Sequence, residues 1–216
     1  SGTTLGDSSG QGSGVHNALL QGTDGTVNRV TGKFGNALML DGSDDYAFSG
    51  GYTGITGTSR RTIAAWFKTS TANKPILSYG ATGTGTLVKV SITSGGAAKI
   101  DFGGASITGG SSLANGAWHH IAVTVPDSGN SGSAKLYVDG TATNGSGSTA
   151  INTTAAGDIK IGSDGSAYFN GHIDDVRLYN AELNASMISK VYGTGVGDFN
   201  RLHVKTARSE ERRVGK

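Results

Sequence analysis

Trp118-His119-His120-Ile121-Ala122-Val123-Thr124 decides how this chain is read. Ile121, Val123 and Val125 fall on one parity; His120, Ala122 and Thr124 fall on the other. That is the two-residue period of a strand with one face in a core. Two further stretches flank it. In Lys33-Phe34-Gly35-Asn36-Ala37-Leu38-Met39-Leu40-Asp41-Gly42-Ser43-Asp44-Asp45-Tyr46, Leu38 and Leu40 share one face before an Asp-Gly turn. In Gly171-His172-Ile173-Asp174-Asp175-Val176-Arg177-Leu178-Tyr179-Asn180, plain alternation puts Asp174 on the face of Val176 and Leu178, pointing inward.

Between these stretches, short apolar runs recur at roughly 8–12-residue spacing, separated by Gly-rich turns. Thr62–Lys68, Ile76–Tyr79, Leu87–Ile92, Ala98–Phe102, Lys135–Val138 and Phe169–Leu178 all read as strands, and Asp139-Gly140 signals a hairpin. Met187, Ile188, Val191 and Tyr192 repeat at helical spacing behind Asn184, a capping residue. The 216 residues include 37 Gly, 2 Pro and no Cys. This excludes collagen, a disulfide framework and thiolate metal sites, and leaves an all-β sandwich rich in turns. No apolar run is long enough for a membrane-spanning helix. The net charge of +2 comes from Arg201–Lys216, where six Lys/Arg outnumber two Glu; the remaining 12 basic and 14 acidic residues sum to −2. A nucleic-acid partner is therefore not expected.

Taken together, the three stretches resemble, in order and spacing, the laminin-G-like jelly roll of the concanavalin A-like lectin and glucanase superfamily. The resemblance implies an all-β, two-sheet antiparallel jelly-roll sandwich with one short C-terminal helical turn, forming one domain over residues 3–195. Arg208–Lys216 resembles the conceptual translation of a sequencing adapter, so residues 196–216 are expected to be a disordered, non-native tail. The implied setting is a secreted or cell-surface protein, bacterial in type.

Of 13 Asp and 3 Glu, only Glu182 lies outside the tail among the Glu. Glycosidases of the resembled superfamily carry a Glu-x-Asp-x-x-Glu pattern, and none is present here. Glycoside chemistry needs two carboxyl groups facing each other at a set separation. Adjacent pairs such as Asp44/Asp45 and Asp174/Asp175 point to opposite faces of a strand and do not supply that. The expectation is a module without catalytic residues.

Asp suits Ca²⁺, which takes six to eight oxygens. Asp41-Gly42-Ser43-Asp44-Asp45 sets oxygens at loop positions 1, 3 and 5, but Tyr46 stands at position 6, so this is not an EF-hand. The resemblance implies one structural Ca²⁺ shared by Asp7, Asp41, Asp45 and Asp174. An inward Asp174 needs a partner in any case. His119 and His120 point to opposite faces and cannot share an ion. A glycan contact needs an exposed aromatic with polar groups beside it. Tyr168, with Asp164 and Asn170 in the same polar loop, is the leading candidate, with Tyr52 in reserve. Tyr79 reads as a further loop aromatic, and Trp66, Trp118, Phe169 and Tyr179 read as core. The expected partner is a glycan or cell-surface polysaccharide. The alternatives are a protein-binding adhesion or spacer module and, last, a glycoside-active domain.

Overall fold

The computed structural model describes residues 4–6, 17–22 and 28–193. The strands, in chain order, are β1 (Thr4–Leu5), β2 (Ala18–Gln21), β3 (Asn28–Thr31), β4 (Asn36–Asp41), β5 (Tyr46–Ser49), β6 (Arg61–Lys68), β7 (Lys74–Gly80) and β8 (Leu87–Ile92). They continue with β9 (Ala98–Asp101), β10 (Ser106–Gly109), β11 (Trp118–Val125), β12 (Lys135–Val138), β13 (Thr141–Asn144), β14 (Lys160–Ile161) and β15 (Asn170–Tyr179). One helix, α1 (Ala185–Gly193), closes the order.

Two antiparallel sheets result. The eight-stranded sheet runs β1-β2-β5-β14-β7-β8-β9-β10, and the seven-stranded sheet runs β13-β12-β11-β6-β15-β4-β3. Leu38, Phe67, Val90, Ile121, Phe169 and Ile173 belong to the one core between them. This is the expected jelly-roll sandwich. Asp7 and the tail lie outside the described residues.

Local chemistry placed several elements as read. Asp139 and Gly140 have φ of 48° and 81°, the two positive values that a two-residue hairpin turn requires, and they join β12 to β13. Asn184 Oδ1 accepts the Met187 N–H at 3.0 Å and caps α1. Ile188 and Val191 then bury against Ala64, Ala122 and Tyr137 on the outer face of the seven-stranded sheet.

The strand β15 departs from the alternation. Asp174 is paired with Trp66 but Arg177 with Ala64, so one extra residue is absorbed between them. Asp175 sits there with φ 49°. Trp66 and Ala64 face the helix, whereas Leu178 is paired with Ile63, which faces the core. Asp174 and Leu178 therefore lie on opposite faces, which corrects the sequence reading. Asp174 is buried as expected, but beneath the Gly32–Gly35 turn. Its Oδ2 accepts the Phe34 N–H at 2.8 Å and its Oδ1 the Asp175 N–H at 2.7 Å. A Cβ on Gly32 would stand 2.4 Å from Oδ2, so only glycine allows this approach. Arg177, on the same face, donates from Nε to Asp175 Oδ1 at 2.7 Å.

Three core assignments also change. Tyr79 lies inside β7 at 2 % exposure, because its parity matches Leu77 across the ladder from Val88 and Val90. Trp118 and Tyr179 are only half-buried, at the sheet's margins, whereas Trp66 and Phe169 are in the interior.

Arg61 ties the two sheets' connections together. Its side chain is buried and meets no carboxylate among the described residues. The guanidinium instead donates to the carbonyls of Ile55, Gly57 (2.7 Å) and Ser59 (2.9 Å) and to Thr153 Oγ1 (2.8 Å). Burial pushes the nearby Tyr79 hydroxyl up to about 12, while the Arg61 charge pulls it down.

Two outcomes are expected. Arg61→Met removes the partner of one buried hydroxyl, Thr153, and of three loop carbonyls on partly or fully exposed residues, and should cost about 2–4 kcal/mol in urea unfolding; a loss under about 1 kcal/mol would mean the loop holds without it. The second concerns His120, which is buried against Trp66 (5.3 Å) and Tyr192 (5.6 Å). Burial lowers its pKa to about 4, with Asp139 opposing and Arg177 assisting. The unfolded chain thus binds a proton near pH 6.5 that the folded chain refuses until about 4. His120's contribution is complete above pH 6.5 and is lost as pH falls towards 4, by about 3 kcal/mol. His120→Phe should flatten that part of the stability–pH curve, and an unchanged slope would refute the assignment.

Candidate functional site

On the open face of the eight-stranded sheet, residues directly opposite one another form a single row. Leu19 is paired with Phe48, Phe48 with Lys160, Lys160 with Ser78, Ser78 with Lys89 and Lys89 with Asp101. Neighbours in such a row stand about 4.8 Å apart. Tyr46 precedes Phe48 by two on β5 and so shares its outward face, while Ala47 and Ser49 are buried beneath. The Tyr46 ring lies 5.9 Å from Phe48 and 6.0 Å from Tyr168. Three half-exposed rings therefore make one continuous ledge.

Beside the ledge is a cavity of about 450 Å³ lined by Tyr46, Phe48, Ser78, Lys89, Lys160 and Asp164, among others. Asp164 caps its own turn: Oδ1 accepts the N–H groups of Ser166 and Ala167, and Oδ2 pairs with Lys89 Nζ at 3.5 Å. Burial raises its pKa, but those N–H groups and Lys89 outweigh it and the net shift is down. A charged Asp164 orients Lys89 and is a poor proton donor. Ser78 Oγ donates to the Ser163 carbonyl at 2.8 Å, which fixes the start of the hairpin carrying Tyr168.

At the head of β5 stand three carboxylates. Asp41, Asp44 and Asp45 each offer an oxygen within 4.8 Å of the other two. Asp41 Oδ1 accepts the Ser43 N–H at 2.8 Å, which holds its pKa down. Asp45 is buried and its Oδ2 accepts the Asp41 N–H at 3.3 Å. An all-oxygen set on a tight loop fits a hard cation such as Ca²⁺. Asp44 belongs to this group because the segment is a loop, where the strand rule of opposite faces does not operate. Asp174 does not belong to it. Asp41 pairs with Asn170, so Asp174 is four residues further along the ladder, roughly 13 Å away. Both its oxygens are already committed to backbone N–H groups.

Asn170 joins the two features. Its Nδ2 donates to the Asp41 carbonyl, and its own carbonyl accepts Thr69 Oγ1 at 2.6 Å. Tyr52 packs partly against the core, and its carbonyl accepts from Ile159 N–H at 3.1 Å; it sits below the ledge rather than on it. Sequence reasoning found Tyr168 and Asp164 but missed Tyr46, Phe48, Lys89 and Lys160. The signal was present in Tyr46-Ala47-Phe48-Ser49, where large aromatic residues alternate with small ones. Ala47 and Ser49 take the buried parity of β5, so the rings face out.

A two-layer β-sandwich with an open ligand-sized face is the architecture of concanavalin A-like proteins. The chain belongs to the Laminin_G_3 family of the concanavalin A-like lectin/glucanases superfamily, whose family model matches residues 41–189. No curated protein matches the sequence. Among solved structures it is similar to domain 4 of AbnA, an extracellular arabinanase from Geobacillus stearothermophilus, in complex with arabinotriose. The TM-score is 0.60 at 19% identity, over 81% of this chain and 87% of that one. It is also similar to the receptor binding domain of botulinum neurotoxin D, with TM-score 0.58 and 18% identity over 88% of this chain and 52% of that one. The sialidase of Trypanosoma rangeli, in complex with sialic acid, gives TM-score 0.58 and 20% identity over 89% of this chain and 31% of that one. This chain thus spans about half of the toxin domain and under a third of the sialidase. At these identities the likeness concerns the fold alone.

Proposed function

We propose that this domain is a non-catalytic glycan-binding module of a secreted or surface protein, with a Ca²⁺ ion as a structural staple. The observation that carries the reading is the ledge of Tyr46, Phe48 and Tyr168 beside a cavity with mixed polar and apolar walls on an open sheet face. Sugar rings present apolar C–H faces that stack on aromatic side chains, and their hydroxyls need nearby polar partners. The fold shared with an arabinanase domain bound to arabinotriose is compatible with that use.

The other readings find less support. Among the described residues, the large exposed apolar side chains Leu19, Met39 and Met187 sit on three different elements, and Leu19 adjoins Phe48 at the edge of the ledge itself. Hydrolysis needs a carboxylic acid with a raised pKa, and the shift of Asp164, in the cavity, is downward. The Ca²⁺ ligands in this reading are Asp41, Asp44 and Asp45, with the backbone of the same loop; the ion would pin the turn that leads into Tyr46.

Two measurements test the two halves separately. On a glycan array, wild type should bind a defined set, and Tyr46→Ala or Phe48→Ala should weaken those signals by roughly 5- to 30-fold. An array silent throughout, or signals indifferent to both changes, would hand the case to protein adhesion. In thermal melts, saturating Ca²⁺ should add about 2–3 kcal/mol over EGTA, and Asp45→Asn should abolish the difference. Identical melts with and without EGTA would remove the ion and leave the glycan reading standing.

A further inference from the structure

The cavity beside the ledge holds four charged side chains: Lys89, Lys160, Asp158 and Asp164. Three are committed. Lys89 and Asp164 pair with each other at 3.5 Å, and Asp164 also accepts two backbone N–H groups. Asp158 Oδ1 accepts the Gly51 N–H at 3.0 Å. Lys160 is different. It is half-buried, and among the described residues no carboxylate lies within 4.0 Å of its ammonium.

Its position is fixed by the sheet. Lys160 stands between Phe48 on one side and Ser78 on the other, in the middle of the outward row. Neither neighbour in the row is an anion. The ammonium leans over the Ser163–Tyr168 hairpin, where a Cβ on Gly165 would stand 3.0 Å from Nζ. The Lys160 backbone is thus one inter-strand step, about 4.8 Å, from that of Phe48, at one end of the aromatic ledge. An anion that reaches an ammonium with no carboxylate beside it gains a charge-assisted hydrogen bond.

We propose that the groove takes an acidic glycan, with a sugar ring on Phe48 and Tyr46 and that ring's anionic substituent, a carboxylate or a sulfate ester, on Lys160. This deepens the glycan reading above and rests on it. A substituent carried directly on a stacked ring spans one step of the row. Lys89 is not the anchor, because Asp164 already neutralises it. Asp164 and Asp158 oppose a second negative charge towards the hairpin and the Gly51 loop, so the anion is received at Lys160 alone.

The test is calorimetric titration with oligosaccharides in matched pairs. Oligogalacturonate is set beside its methyl ester, and a sulfated galactan oligosaccharide beside its desulfated form. Wild type, Lys160→Met and Tyr46→Ala are compared at low and at raised salt, with thermal melts to verify folding; Met keeps the apolar stem of Lys160. The charged member of at least one pair should bind about tenfold more tightly in wild type, and salt should erode that advantage. Lys160→Met should level the pair, while Tyr46→Ala should weaken both members. Preference for one pair identifies carboxylate or sulfate as the anion. Equal binding of both members in every pair, still weakened by Tyr46→Ala, overturns the acidic-glycan proposal and leaves the ledge as a neutral-sugar site. No binding in any pair, or binding that Tyr46→Ala leaves untouched, overturns the acidic-glycan proposal together with the reading of the ledge itself.

Discussion

A strand of two residues holds the middle of the eight-stranded sheet, and much else depends on its staying there. β14 contributes only Lys160 and Ile161, yet it separates β5 from β7 and bonds to both. So short a strand cannot keep its place by ladder bonds alone. Its flanks supply the rest. The Ile159 carbonyl accepts Ser49 N–H at 3.1 Å, and Ile159 N–H reaches the Tyr52 carbonyl at the same distance. On the other side, Gly162 N–H meets the Ile76 carbonyl at 2.7 Å, and Phe169 N–H returns to the Gly162 carbonyl at 2.7 Å. Buried Ile159 and Phe169 pin both approaches in the core.

Arg61 belongs to the same arrangement at longer range. Thr153, which receives its guanidinium, also forms an isolated bridge with Gly57. The segment entering β14 is thereby fastened to the loop entering β6. A buried guanidinium held by neutral acceptors is a rigid joint, because five N–H donors in one plane fix the directions of all their partners. The ledge on β5, the cation on β14 and the hairpin bearing Tyr168 inherit their relative positions from this joint and from the core beneath.

What was legible in the sequence was local. Asp139-Gly140 and Asn184 act through their own backbone neighbours, so residue type alone reveals them. The alternation in Trp118–Val125 likewise needs no partner to be seen. The layers, the family and the acidic loop at Asp41 followed from such signals. The face of Asp174 did not, because the bulge at Asp175 rests on a non-glycine residue with positive φ, for which composition gives no warning. The family resemblance implies Asp174 as an ion ligand and plain alternation supports it, whereas the structure uses its carboxylate to fasten the Gly32–Gly35 turn. Tyr46 and Phe48 escape such a reading because aromatic residues ordinarily go inside, whereas on β5 Ala47 and Ser49 take the buried parity. Lys160 was silent for another reason: its significance lies in having Phe48 and Ser78 beside it, and neither is near it in sequence.

The bulge gives β15 two halves that answer to different surroundings. Up to Ile173 the strand keeps step with β4 and β6 and serves the core; past Asp175 it is offset by one and offers Arg177 to the helix side. The insertion works like a half-turn in a belt, letting a single ribbon show its greasy side to one layer and then realign after the twist. Were the same number of residues forced into plain alternation, Leu178 would turn out towards the helix and Arg177 in towards the apolar interior; removing the extra residue instead would leave both on the faces they now occupy, because that residue is the one the ladder absorbs.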